Sequence, residues 1–295
     1  MPLEENGLIT SYRRGRARYG FADMPPPKLE QLRRAVLAEH RGVSAGRSAL
    51  SVAWFTMGGQ ARRLTDGREG GDRVAGRGKE TVRAVRRPQV RLPELTAYDG
   101  GELEPEGDYD GLEFADADWA GQSARGARFM DCAVRRCALD ETELGRARII
   151  DSVLSGIRGV GTDLSQASLR DVEVSDARLG GTQLHGAVLE RVVVRGGKID
   201  FPNLRQAKLR DVAFEGCVLV EADFAGAVLE RVTFDDCTLT RVDFSEARMK
   251  DVDLRGAAAL DIARGIDRLS GAVISPAQLL DLAPVFAAQI GVRVE

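Results

Sequence analysis

The sequence predicts an all-β solenoid, a rod in which the chain turns a quarter of the way round its axis every five residues. Three observations carry this. A large apolar residue recurs at every fifth position, in 27 of 29 consecutive places. A small or β-branched residue, most often Ala, Cys, Thr or Val, recurs two places before it. Aromatic residues make up only 5% of the chain beside 33 glycines, which suits a narrow repetitive interior better than a conventional core.

The large residues run from Phe114 through Trp119, Phe129, Leu169, Phe214, Phe224, Phe234 and Phe244 to Leu254, and these are the expected core. Only Ala124 and Gly159 fall short in size. A period of five is neither helical (3.6) nor that of a flat strand (2.0). An α-helix would spread such a pattern round its circumference, and a flat strand would throw successive centres to opposite faces. A quarter turn per pentad points both special positions inward and leaves three to solvent. Four pentads then close a coil of about 20 residues, and coils stack at ~4.8 Å. Regular repeats over 109–256 predict about seven coils and a rod of roughly 35 Å.

The segments ASLRD, ADFAG, AVLER, CTLTR, VDFSE, ARMKD and VDLRG resemble the consensus of the pentapeptide-repeat family. That resemblance implies a right-handed quadrilateral β-helix, with the large residue inside each face and the small one near the corner. Some members of the family mimic B-form DNA and bind DNA gyrase, and several dimerise end to end through C-terminal elements.

Residues 1–90 read as a basic, mostly disordered arm. PPPKLEQLRRAVLAEH predicts one short amphipathic helix over 27–40, and residues 59–91 are rich in Gly and Arg with little periodicity. The first hundred residues carry about +8 and the remainder about −11, so a basic arm precedes an acidic body. Such an arm either binds nucleic acid, packs intermittently on the rod, or reflects a gene start placed too far upstream. The solenoid is assigned to 91–256.

A C-terminal cap is assigned to 257–295. Ser275 followed by Pro276 is a helix start, because Ser accepts from orphan amides and Pro suits the first helical position. The helix is expected over about 276–290, with Leu279, Leu280, Leu282, Val285, Phe286 and Ile290 as one apolar face. A short terminal strand follows, in which Val292 and Val294 are the candidate dimer contacts.

The chemistry of a site is sparse. The histidines are His40 and His185, which assemble no triad or metal-ligand set, and no glycine loop of phosphate-binding spacing is present. Cys132, Cys137, Cys217 and Cys237 all occupy small inward positions and read as inert packing. SGIRGVG around Gly159 reads as a bulge or bent corner, and GGKIDFPN as an irregular coil with Phe201 partly exposed. No catalytic residue, cofactor or metal is expected, and the location expected is cytoplasmic, without a membrane span. The outward column Ser123, Glu143, Asp163, Gln183, Asn203, Asp223, Asp243 reads as acidic and unpaired. Three functions follow: an interaction scaffold for an unknown protein partner, a gyrase modulator using Glu143, Asp163, Asp223 and Asp243 as phosphate surrogates, and nucleic-acid binding through residues 1–90.

Overall fold

The computed structural model describes residues 11–14, 17–20 and 82–293. The chain divides into two compact units, Met1–Arg77 and Gly78–Glu295. In the first, Ser11–Arg14 and Ala17–Gly20 pair antiparallel, a feature absent from the expected arm. The expected helix over 27–40 lies outside the described residues.

The second unit is a right-handed, four-sided β-solenoid of about nine turns with one C-terminal helix. Two turns exceed the expected seven because pairing outlasts the repeat at both ends. Thr96–Ala97 pairs in parallel before the regular repeat begins, and Ala272–Val273 does so after it ends. Between them the register is 20 residues: Leu169 lies between Ile149 and Leu189, and Leu209 between Leu189 and Leu229.

The first two faces are built from strands that bend through a corner, such as Arg148–Ser155, Ser168–Ser175, Val188–Arg195, Lys208–Glu215 and Val228–Asp235. Shorter strands such as Arg178–Gly180 and Lys198–Asp200 form the third. The fourth is a file of single bridges linking Ser123, Glu143, Asp163, Gln183, Asn203, Asp223 and Asp243.

Every corner needs a left-handed residue. From Glu106 to Asp251 each fifth residue has positive φ, two places after the apolar centre. Glycine fills only part of the file; Asp, Glu, Gln and Arg fill most of the rest, and Phe201 takes φ 54°. Left-handed backbone costs an L-residue roughly 1–2 kcal/mol. The ladders on either side over-determine these corners.

The corners differ, and the inward small residue records which kind each is. Between the fourth and first faces a four-residue turn closes, with Ala167 N–H donating to Leu164 O at 3.1 Å and Ala187 to Leu184 O at 3.0 Å. Its small position is Ala in seven successive coils, 127 through 247. Between the first and second faces the strand runs through, and from Val172 to Val252 the position is Val. β-branched side chains suit extended backbone, whereas a methyl suits the closed turn.

Inside, identical rings stack between coils. Phe214 and Phe234 lie 5.0 Å apart with planes 4° from parallel, and Phe224 and Phe244 lie 5.3 Å apart. Phe114, Trp119, Phe129, Leu169, Phe214, Phe224, Phe234 and Phe244 are all buried.

Two expected irregularities are corrected. Arg158–Val160 pairs in normal register with Arg178–Gly180, so SGIRGVG is no bulge. Ile157, buried in the small position, supplies bulk, and a Cβ on Gly159 would come within 2.7 Å of Leu139 O. Lys198–Asp200 likewise pairs in register on both sides. The departure there is confined to Gly197, at φ 83°, where a Cβ would come within 2.3 Å of Ala177 O.

After Leu254 the register slips by one, Leu239 facing Leu260, and the repeat ends. Helix α1 (Pro276–Gln289) follows. Ser275 caps it through a reciprocal box: its Oγ accepts from Gln278 N–H, and Gln278 Oε1 accepts from Ser275 N–H. The Gln278 amide also donates to Leu254 O at 2.7 Å and to Ala257 O at 3.3 Å. Leu254 O, which also accepts from Ala257 N–H at 3.1 Å, and Ala257 O are thereby bonded where the regular repeat ends. The apolar stripe of α1 is narrower than expected. Leu282 is buried and Phe286 packs on the core, while Leu279, Leu280, Val285 and Ile290 are exposed.

Candidate interaction surface

The register of 20 stacks like side chains into vertical files, and charges pair along them. Arg128 meets Asp108, Arg136 meets Asp116 and Arg191 meets Asp171, each from one coil to the next. The hydrogen bond from Arg128 holds the Asp108 carboxyl below its ordinary range. Such exposed pairs contribute little individually.

The fourth face carries the acidic column, and here the expectation of unpaired charge is corrected. Asp223 pairs with Arg205 at 2.7 Å, and Asp243 with Arg264 at 3.6 Å. Arg264 comes from the irregular last coil, which a column reading does not reach. Three of the carboxylates also hold their own corner. Asp163 Oδ1 accepts from Ser165 N–H at 2.8 Å, Asp223 Oδ1 from Ala225 N–H at 2.9 Å, and Asp243 Oδ1 from Ser245 N–H at 2.7 Å. A short side chain bonding two residues ahead is a turn device, which gives this column a structural cause. Glu143 accepts from the Ser123 hydroxyl at 2.9 Å.

The second face is different, because the chain covers it with itself. Residues 82–92, which form no helix or strand, precede the first rung at Thr96–Ala97. Arg83 N–H donates to Asp251 Oδ1 at 3.3 Å, and Arg86 N–H to Asp211 Oδ1 at 3.1 Å. The Arg87 guanidinium pairs with Glu215. Asp211 and Glu215 flank Ala213, so this strap crosses above it. Pro88 is buried, and Val82, Val85, Val90 and Leu92 are half-buried.

Below the strap several outward residues are apolar and hidden, though Glu173 and Thr233 stand in the same file. Val193 is 0% exposed, whereas Val188, outward on the first face, is 40% exposed. Ala133 and Ala213 are also fully buried. Burial pushes the Asp211 carboxyl up, but hydrogen bonds from the Arg231 side chain and the Arg86 N–H outweigh it and hold the group below its usual value. Asp151, in the same corner file, is pushed up by burial and then by Asp171 and Asp131. Sequence reasoning assigned the solenoid from residue 91 and offered packing of the arm on the rod as one alternative, without placing the strap at 82–92. The available signal was the recurrence of apolar residues at 82, 85, 88, 90 and 92 once the glycines stop.

Little else offers reactive chemistry. The four cysteines are buried and unpaired, and burial raises Cys132 and Cys137. A hydrogen bond to Cys237, then burial, raises Cys217. Among the described residues no three or more His, Cys, Asp or Glu stand together as a metal set, and no helix is long and apolar enough to cross a membrane. A surface depression of about 360 Å³ near α1 is lined by Ile266, Leu269, Ala272, Ile274 and Phe286, with Asp267 and Ser270 as its polar groups. Val292 is exposed; Val294 lies outside the described residues.

The family described as the pentapeptide repeat region matches residues 127–204 and 198–262. Among solved structures, HetL of the cyanobacterium Nostoc, a pentapeptide repeat protein involved in heterocyst differentiation regulation, is 18% identical. The match covers 59% of this chain and 92% of that one, with a TM-score of 0.31. Full-length QnrB1, a plasmid-mediated fluoroquinolone resistance protein, is 16% identical over 68% of this chain and 97% of its own, with a TM-score of 0.28. No curated protein sequence matches.

Proposed function

We propose that this chain, a pentapeptide-repeat protein, works as a non-catalytic scaffold that presents flat faces to a protein partner. The observation carrying this is the register, which holds at 20 residues along the first two faces from Arg148 to Val252. Side chains therefore stand in rigid vertical files, an arrangement suited to docking another surface and not to enclosing a small substrate. The buried, raised thiols support the same reading.

The test is site-specific photo-crosslinking from one outward position on each of three open faces: Val188, Val160 and Gln183. A discrete partner captured in cells from one face, and lost on charge reversal beside it, supports the scaffold. No crosslink from any position would overturn it.

A second reading, gyrase modulation by DNA mimicry, is favoured by one observation: Glu143, Asp163, Asp223 and Asp243 share one vertical file. Against it, Arg205 and Arg264 neutralise two of the four. Inhibition of supercoiling that weakens with Asp163→Asn would support it; no effect at high protein excess would reject it. End-to-end dimerisation belongs to the same proposal, since Leu280, Ile290 and Val292 are exposed near the C-terminus. Light scattering of Ile290→Glu tests it.

A further inference from the structure

We propose that the second face is a docking surface for an extended protein segment of alternating apolar and arginine residues, held here by the chain's own residues 82–92 as a displaceable occupant. The proposal deepens the scaffold reading and rests on it by naming a face and the chemistry of the partner.

The surface has a register that an extended chain can read. Arg83 and Arg86 are three residues apart, which spans about 10 Å at roughly 3.3 Å per residue. Their acceptors, Asp251 and Asp211, are two coils apart, and two coils rise about 9.6 Å. Two backbone N–H groups three residues apart thus meet carboxylates on one corner file. Arg87 reaches the opposite corner at Glu215, so the segment is held across the width of the face. Between the corners Ala133, Val153, Val193 and Ala213 form a largely apolar floor, interrupted by Glu173, which pairs with Arg195, and Pro88 is buried.

Charge complements the occupant. Asp131, Asp151 and Asp171 continue the corner file toward the rung at Thr96, with Arg191 paired to Asp171 and Arg231 to Asp211 within it, so that Asp131 and Asp151 remain for a segment carrying Arg83, Arg86, Arg87 and Arg91. The way the strap is fastened makes it exchangeable. The backbone of residues 82–92 joins no ladder, whereas each rod strand is bonded along its length to both neighbours. Its recorded backbone bonds go to two carboxylates, and the one from Arg83, at 3.3 Å, is long. Any segment offering the same N–H spacing and an arginine followed by a proline satisfies the same groups.

The experiment uses the full chain carrying Val85→Asp with Pro88→Asp, which releases the strap without touching the rod. The probe is a fluorescent synthetic peptide, VRAVRRPQVRLP, copied from residues 82–93. Faster tryptic cleavage after Arg86 verifies release. The released chain binds the peptide, and the unaltered chain binds it about a hundredfold more weakly, because its own strap competes at high effective concentration. Adding Glu215→Lys to the released chain removes binding, and a peptide with Arg87→Glu restores it. A released chain that fails to bind, or equal binding by both chains, overturns the proposal. The scaffold reading would survive that result, since its crosslinking positions lie on the other three faces.

Discussion

The Arg231 guanidinium grips the Asp211 carboxylate through two hydrogen bonds, 2.6 and 2.8 Å, and both side chains are almost wholly buried at a corner of the rod. Glu230 adds a second carboxylate to the same guanidinium. A buried pair broken on one side leaves an uncompensated charge, at a cost of about 3–5 kcal/mol. Arg231→Met should therefore lower the free energy of urea unfolding by about that amount, and adding Asp211→Asn should recover most of it. Equal destabilisation by the single and double variants would show that the pair is not coupled.

The same carboxylate makes the fold acid-sensitive. Its pKa in the folded chain lies below the usual 3.8, so its contribution is complete above that value and is lost as pH falls through the lower, folded one. Wild type should lose more stability than Asp211→Asn between about pH 4 and pH 2. Because Arg86 N–H shares this acceptor, cleavage after Arg86 should quicken in acid-treated protein assayed by an acid-stable protease. A parallel decline of both proteins would remove Asp211 as the cause.

The corner code predicts opposite penalties for opposite changes. Ala187→Val forces extra methyls into a closed turn and should cost about 1–3 kcal/mol by overpacking. Val192→Ala, five residues on, leaves a void instead and should cost about 1–3 kcal/mol. The two are distinguished by a compensating residue: Gly at 187 should be tolerated better than Val, whereas Ile at 192 should be tolerated better than Ala. Urea midpoints of the four variants decide it.

Phe201 is the one aromatic residue among the left-handed corners, and its ring is 56% exposed. Little packing is lost on removing it, so Phe201→Gly should gain about 1 kcal/mol. A loss of stability would mean that the ring packs more productively than its exposure indicates.

The thiols supply a global readout. All four described cysteines are buried, and burial or hydrogen bonding raises Cys132, Cys137 and Cys217. A disulfide-exchange reagent should label none in the native rod and all four in urea. Rapid native labelling of Cys217 or Cys237 would reveal opening of that coil.

Much of this architecture was legible in sequence because each pentad repeats the same physical demand. The centre must be large and inward, so Phe114 to Leu254 read directly as core. The helix start at Ser275 and Pro276 was equally plain, since capping is a local affair. The difference between Ala187 and Val192 was visible too, but only in steps of 20, because corner type depends on which face follows. What escaped were relations between distant segments. Arg264 neutralises Asp243 from a slipped coil, and the strap acquires its path from carboxylates that lie 125 and 168 residues ahead.

The Gln278 side chain has a consequence beyond stability. A stack of parallel rungs is a template, and its open end offers amide and carbonyl groups in the spacing on which another extended chain could condense. Gln278 occupies the carbonyls of Leu254 and Ala257, and the helix behind it fills the approach. The helix start thereby closes the corner at Leu254 and Ala257, one approach to the end of the ladder. Gln278→Ala should therefore be assayed for fibril nucleation as well as for unfolding.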